Sequence, residues 1–226
     1  MSNAGPTPEA SYRVTRYTTA ARLNHMVTAA SLVLLAVSGM ALFHPSLFFL
    51  TGLFGGGAMA REIHPWIGVV LFFGFFGLFF RFWKANLPEK GDGEWLKSGG
   101  AVLGGHEENL TEIGRYNAGQ KLVFWSMSAL ILVLIASGLA IWDEYFFQYT
   151  SIDTKRIAVL AHAIAAIVAI CVWIIHLYAA IWVRGTMDAM TKGSVTGGWA
   201  WRHHRRWLRE SIGGKSADGG NVTPAE

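Results

Sequence analysis

Residues 159–180 read VLAHAIAAIVAICVWIIHLYAA, an apolar run long enough to cross a bilayer that carries two imidazoles, His162 and His176. Ionisable groups inside a spanning segment are costly; they face a bundle interior and mark a functional path. At ~100° per residue the fourteen-residue interval falls ~40° short of four whole turns, and at ~1.5 Å rise it covers ~21 Å. Both rings therefore project from one face of one helix, at two depths.

The rest of the chain fits the environment this stretch demands. Of 226 residues, 52% are hydrophobic, 13% aromatic and only 15% charged, and the mean hydropathy is +0.34. Those values describe an integral membrane protein rather than a soluble domain. A hydrocarbon core of ~30 Å needs ~20 helical residues, and four stretches meet that length, at about 24–43, 63–83, 121–142 and 157–183. The expected fold is an all-α four-helix transmembrane bundle with both termini cytoplasmic. Its parts are an N-terminal segment 1–23, a spanning domain 24–183 with a cytoplasmic loop at about 84–120, and a basic segment 184–226 with a disordered tail. No short apolar core ending in a small-residue cleavage site opens the chain, so the first span is expected to stay in the mature protein.

The orientation follows from the cations. Of the 19 Lys and Arg, three fall in the two loops after spans one and three and the remaining sixteen on the opposite side, which the positive-inside rule makes cytoplasmic. The basic stretch RHHRRWLRE at 202–210 then reads as a membrane-surface or partner-facing segment, with nucleic acid excluded as a poor fit to four spans. The single Cys171 excludes an internal disulfide, a cysteine-ligated cluster within the chain and a CxxCH haem attachment. No internal repeat stands out. The loop from Asn86 to Gly114 reads as irregular, with room for one short helix.

With orientation assigned, the histidines pair by depth. His25 at the inner start of span one matches His176, and His64, at the outer start of span two with Pro65 in the first turn, matches His162. Two cross-helix pairs roughly 20 Å apart along the helix axes suit two bis-histidine b haems, because porphyrin iron takes two axial ligands. Ala165, Ala166 and Ala169 on the His162–His176 face, Gly68 after His64 and Ala29 after His25 leave room for a porphyrin, or equally for close helix packing. His44 and His106 read as solvated or interface residues. His203 and His204 read as surface residues, with a quinone or propionate contact as the other reading; Arg22 and Lys121 are propionate partners or snorkelling cations.

These segments, RLNHMV (22–27), REIHPWIG (61–68), RYNAGQKLVFWS (115–126), LAHAIAA (160–166), IIHLYAAIWVRG (174–185) and WRHHRRW (201–207), make the chain similar to the membrane cytochrome b, or gamma, subunits of respiratory formate dehydrogenases. The resemblance runs from about Arg13 to Trp207. It implies two haems b on His25/His176 and His64/His162, an iron-sulfur (beta) partner, and a molybdenum- or tungsten-containing catalytic (alpha) partner that oxidises formate outside. It implies electron transfer across the bacterial inner membrane to menaquinone or ubiquinone near the cytoplasmic face, contributing to proton-motive force, in a complex open to further oligomerisation.

Asn117, Gly119 and Gln120 are the quinone candidates, with Trp125 as an apolar wall; Asn117 and Gly119 read equally well as a helix-start turn. Trp142 and Asp143 form an outer interface anchor or a docking point for the iron-sulfur partner. Rival readings are a cytochrome b of a hydrogenase or other quinone-linked oxidoreductase and, from a different class, a haem-free anchor or transporter. Against a transporter, no Asp or Glu lies inside the four expected spans.

Overall fold

The computed structural model describes residues 12–98 and 113–216, with side chains to residue 213. His106, much of the Asn86–Gly114 loop and the end of the C-terminal tail lie outside the described residues. Among the described residues four helices are long and apolar enough to cross a membrane: α1 (Thr19–Phe43), α2 (Gly57–Phe82), α3 (Ala118–Ile141) and α4 (Ile152–Trp182). Each ends within a residue of the expected span and begins three to six residues before it. The early starts are polar or small first turns, such as TAARLN in α1 and IDTKR in α4, which extend a helix without extending its apolar run.

One consequence is that Pro65 does not sit in the first turn of α2. It lies inside the helix, two turns after Gly57, where its missing N–H removes the bond that would run to the Arg61 carbonyl. The loop after α1 is also more ordered than its Gly-rich sequence suggests. Pro45–Phe54 forms a 3-10 helix closed by Gly55 in the left-handed region, φ 84°.

The chain divides into two compact units. The first comprises residues 23–84 and 123–179, which carry most of the four long helices. Its packed centre is Leu71, Phe75 and Ile131, flanked by Leu32, Leu35, Phe79 and Met127. Helices α1 and α2 approach closely where α2 offers no side chain: a Cβ on Gly74 would stand 2.7 Å from Thr28 Oγ1, and one on Gly77 2.5 Å from Asn24 Nδ2. Large apolar side chains such as Phe73 and Phe80 are exposed, as expected of a surface whose solvent is lipid.

The second unit comprises residues 12–22, 85–122 and 180–216 among those described. A two-stranded antiparallel ribbon pairs β1 (Arg13–Thr15) with β2 (Ser194–Thr196), Val14 opposite Val195. The Gly193 carbonyl, at a residue of φ +79°, accepts from the Arg16 and Tyr17 amides at 2.8 and 3.1 Å. Around the ribbon pack α5 (Thr186–Thr191), α6 (Gly197–His203) and α7 (Arg205–Ser216). Val195, Trp199, Ala200, Trp207 and Leu208 form an apolar core there, and a short helix, Asp92–Lys97, lies in the same unit.

Candidate haem-ligand pairs

All four spanning histidines belong to the first unit and meet two by two. The His25 and His176 ring centres are 6.4 Å apart at an interplanar angle of 51°. Those of His64 and His162 are 6.3 Å apart at 65°. Two metal–imidazole bonds of ~2.0–2.1 Å, with ~1.1 Å from each ligating nitrogen to its ring centre, add to ~6.3 Å. The two pairs share this spacing to about 0.1 Å.

The donor set points the same way. No group of three or more His, Cys, Asp or Glu able to hold a metal ion occurs among the described residues, which offer each pair no third protein donor of the kind a tetrahedral zinc site uses. A pair of imidazoles is what an iron already held by four porphyrin nitrogens still requires. Space exists beside the pair as well: a Cβ on Gly68, one turn beyond His64, would meet nothing within 4 Å. The residues present therefore fit two b haems.

The His64–His162 pair has a feature that no sequence reading identified. Ser38 Oγ lies 2.7 Å from His64 Nδ1 and Ser137 Oγ 2.9 Å from His162 Nδ1. Ser38 is also bonded to the Leu34 carbonyl at 2.7 Å, and Ser137 to the Val133 carbonyl at 2.6 Å. Each serine lies inside its helix, Ser38 in α1 and Ser137 in α3, and is followed by a glycine: Gly39 and Gly138 would carry a Cβ 3.3 and 3.5 Å from the Cε1 atoms of His64 and His162. The available signal was the recurrence of VSGMA at 37–41 and ASGLA at 136–140.

The remaining candidates are placed as follows. At the start of α3, Asn117 Oδ1 accepts from the Gln120 amide at 2.8 Å and Gln120 Oε1 accepts from the Asn117 amide at 3.1 Å. That is a reciprocal capping box, so the helix-start reading of Asn117 holds, and both carboxamide NH2 ends lie outside it. Gly119 admits the Trp95 ring, which would stand 2.8 Å from a Cβ there. Asn117 borders a cleft within the second unit together with Gly91, Trp95, Gly114, Tyr116 and Arg206. Trp125 packs edge-on against Phe79 and Phe124.

Arg22 Nε donates to the Met190 carbonyl at 2.8 Å, and Lys121, almost fully buried, pairs with Asp92 at 3.0 Å. Trp142 packs on Trp66 and Tyr145, while Asp143 pairs with Lys155. His44 is exposed and its Nδ1 accepts from the Ser46 amide, capping the 3-10 helix. Cys171 is exposed and free.

His204 departs from the surface reading. It is 1% exposed, its Nδ1 lies 2.9 Å from the Gly114 carbonyl, and its Nε2 lies 3.3 Å from Arg16 Nη2. A guanidinium only donates, so Nε2 accepts and Nδ1 carries the proton toward Gly114. Burial, and after it the adjacent Arg16 charge, hold this imidazole well below the usual histidine range. The flanking arginines suggested solvent, but His204, Trp207 and Leu208 share one helical face, and that apolar face is the one buried.

A family model for prokaryotic cytochrome b561 matches residues 16–193. The chain belongs to the prokaryotic cytochrome b561 family. The cytochrome b556(fdo) subunit of formate dehydrogenase from Escherichia coli K12 is 42% identical over 197 residues, 87% of this chain and 92% of that protein. The nitrate-inducible cytochrome b556(Fdn) subunit of the same organism is 41% identical over 189 residues, 84% of this chain and 87% of the relative. The formate dehydrogenase cytochrome b556 subunit of Haemophilus influenzae is 37% identical over 200 residues, 88% and 84% of the two chains. As a cytochrome b561 family member with four spans, this is a multi-pass inner-membrane electron-transfer protein that binds haem b.

Proposed function

We propose that this cytochrome b is the di-haem membrane subunit of a respiratory formate dehydrogenase and carries electrons from an outer iron-sulfur partner across the membrane to a quinone. The observation that carries the reading is the pair of cross-helix histidine contacts with matched ring-centre spacings of 6.4 and 6.3 Å. Bound there, two b haems would supply one-electron carriers at two depths. The fourteen residues between His162 and His176 on α4 set those depths ~21 Å apart. His25 and His176 hold the inner position, His64 and His162 the outer, with both termini cytoplasmic, an orientation the cation distribution supports.

The identity of the complex rests on the relatives, each of which is named as a formate dehydrogenase subunit. Formate oxidation is assigned to a molybdenum- or tungsten-containing partner, as the resemblance to formate dehydrogenase cytochrome subunits implies. Quinone reduction is assigned to the start of α3. The NH2 groups of Asn117 and Gln120, left outside the capping box, would donate to a quinone carbonyl, and Asn117 borders a cleft with Tyr116 and Trp95, which supports this reading. Gly119 lets the Trp95 ring pack against the helix start, which makes that indole one wall of the cleft.

The test is a reduced-minus-oxidised visible spectrum of the purified protein, with haem counted per chain, for the wild type and for His25→Ala, His64→Ala, His162→Ala and His176→Ala. Two low-spin b haems are expected, with His25 and His176 variants losing one and His64 and His162 variants losing the other. A folded protein that is colourless, or four variants that all lose the same haem, would overturn the assignment. For the quinone site, Asn117→Leu and Gln120→Leu in the assembled complex are expected to slow formate-dependent quinone reduction while leaving formate-dependent haem reduction intact.

A further inference from the structure

We propose that Ser38 and Ser137 are positioning residues that fix the tautomer and ring orientation of His64 and His162, and that this device is confined to the outer histidine pair. The inference rests on the assignment of those histidines as haem ligands. It starts from a count of hydroxyl protons. A serine has one, and in Ser38 it is donated to the Leu34 carbonyl at 2.7 Å; the contact of the same oxygen with His64 Nδ1, 2.7 Å away, then requires the imidazole to donate. Ser137 repeats the arrangement, donating to Val133 at 2.6 Å and accepting from His162 Nδ1 at 2.9 Å. Both imidazoles therefore carry their proton on Nδ1 and present Nε2 with its lone pair free.

That is the form a metal-ligating histidine needs, and an acceptor on the far nitrogen both holds the ring and makes the ligand more basic. The burial is appropriate for the task. Ser38 is 0% exposed and Ser137 7%, so water does not compete for either hydroxyl. The next residue is glycine in both helices, and its hydrogen faces His Cε1 at a distance where a methyl group would touch. The two hairpins α1–α2 and α3–α4 thus contribute equivalent halves: a Ser-Gly on the first helix and a histidine 26 or 25 residues later on the second. Among the described residues the inner pair has no equivalent serine contact. His25 Nδ1 is buried with no hydrogen-bond partner among the described residues.

An acceptor that strengthens imidazole donation favours ferric over ferrous iron, so its presence at one pair lowers the potential of that haem. The serines would then set the outer haem lower than they would leave it as alanines, which assists electron flow inward.

The test uses the full-length protein with Ser38→Ala, Ser137→Ala, the double variant and the Ser→Thr pair. A control is Ser128→Ala, a buried serine of α3 bonded to the Phe124 carbonyl at 2.7 Å in the same way. The readouts are a spectroelectrochemical titration of the α-band and the low-spin ferric EPR signal, with the outer component identified as the one lost in His64→Ala. Ser38→Ala and Ser137→Ala are expected to raise the midpoint of the outer component alone and to weaken haem retention there about 10-fold, at the low end of second-shell effects. Threonine at either position restores the wild-type values, and Ser128→Ala changes neither haem. Equal shifts in both components, equal effects of Ser128→Ala, or no shift in the double variant would overturn the proposal. A wild type without haem would instead remove the ligand assignment beneath it.

Discussion

The two units of the chain solve opposite packing problems with almost the same residue types. In the unit of residues 23–84 and 123–179, bulky Phe73 and Phe80 are exposed while Ser38, Ser128, Ala165 and Ala169 are buried. In the unit built on the β1–β2 ribbon, the large apolar Val195, Trp207 and Leu208 are buried instead. Lipid removes the hydrophobic drive between helices, so the first unit gains by close approach of small residues. The second gains by withdrawing apolar area from water.

Their buried polar groups follow the same division. The serines of the first unit are satisfied by carbonyls of their own helices, one turn back. The second unit instead buries a cation. Arg16, 4% exposed, has its guanidinium 4.6 Å from the ring centre of Trp207 and 5.2 Å from that of Trp199, donates to the Arg115 carbonyl at 2.7 Å and meets His204. A guanidinium that stacks on aromatic faces keeps much of its electrostatic stabilisation after dehydration.

This contrast can be broken most strongly at Trp207. Trp207→Ala removes a core wall and the closest aromatic partner of Arg16, and is expected to destabilise the second unit by about 3–5 kcal/mol. Limited proteolysis within residues 180–213 measures it. Arg16→Leu should cost less, about 1–3 kcal/mol, because it leaves His204 Nε2 and the Arg115 carbonyl buried and unpaired; the same proteolysis reads it, and similar protection to wild type would mean the cation is dispensable.

In the first unit the matched experiment is overpacking. Gly74→Ala pushes a methyl against the stiff Thr28 side chain and is expected to lower thermal stability in detergent by about 1–3 kcal/mol. Gly77→Ala should also destabilise, since a Cβ there displaces the Asn24 carboxamide that reaches the Gly74 carbonyl and the Leu78 amide.

Acid should weaken the second unit selectively. His204 is held neutral when folded, so the unfolded chain binds its proton first, and stability falls as pH drops below ~6.5 and on down toward the folded value. His204→Gln is expected to flatten that pH dependence in the proteolysis assay. At the small end, Asp153→Ala removes an ion pair whose side chains are 78% and 87% exposed, and no measurable change in melting is expected.

How far the sequence revealed this molecule divides along the same line. Spans and histidine pairs were legible because run length, spacing and depth are one-dimensional properties: α4 alone places His162 and His176 on a common face. The serine supports were not, since a serine bonded to its own helix has the same neighbours in sequence whether or not a histidine from the next helix reaches it. His204 was misread because charge in the flanking residues outweighed the i, i+3, i+4 relation to Trp207 and Leu208. The 3-10 helix at Pro45–Phe54 and the ribbon were hidden for a related reason: both are short, and the ribbon joins segments 180 residues apart.

The distribution of ligands over the helices also bears on how the protein is made. Each histidine pair takes one member from α4, His162 or His176, the last of the four described spans to leave the ribosome. A nascent chain that has inserted α1 to α3 holds only single imidazoles and no completed pair. On the proposed haem assignment both sites stay incomplete until translation has passed α4, so colour in the purified protein would report that this span had been made and packed.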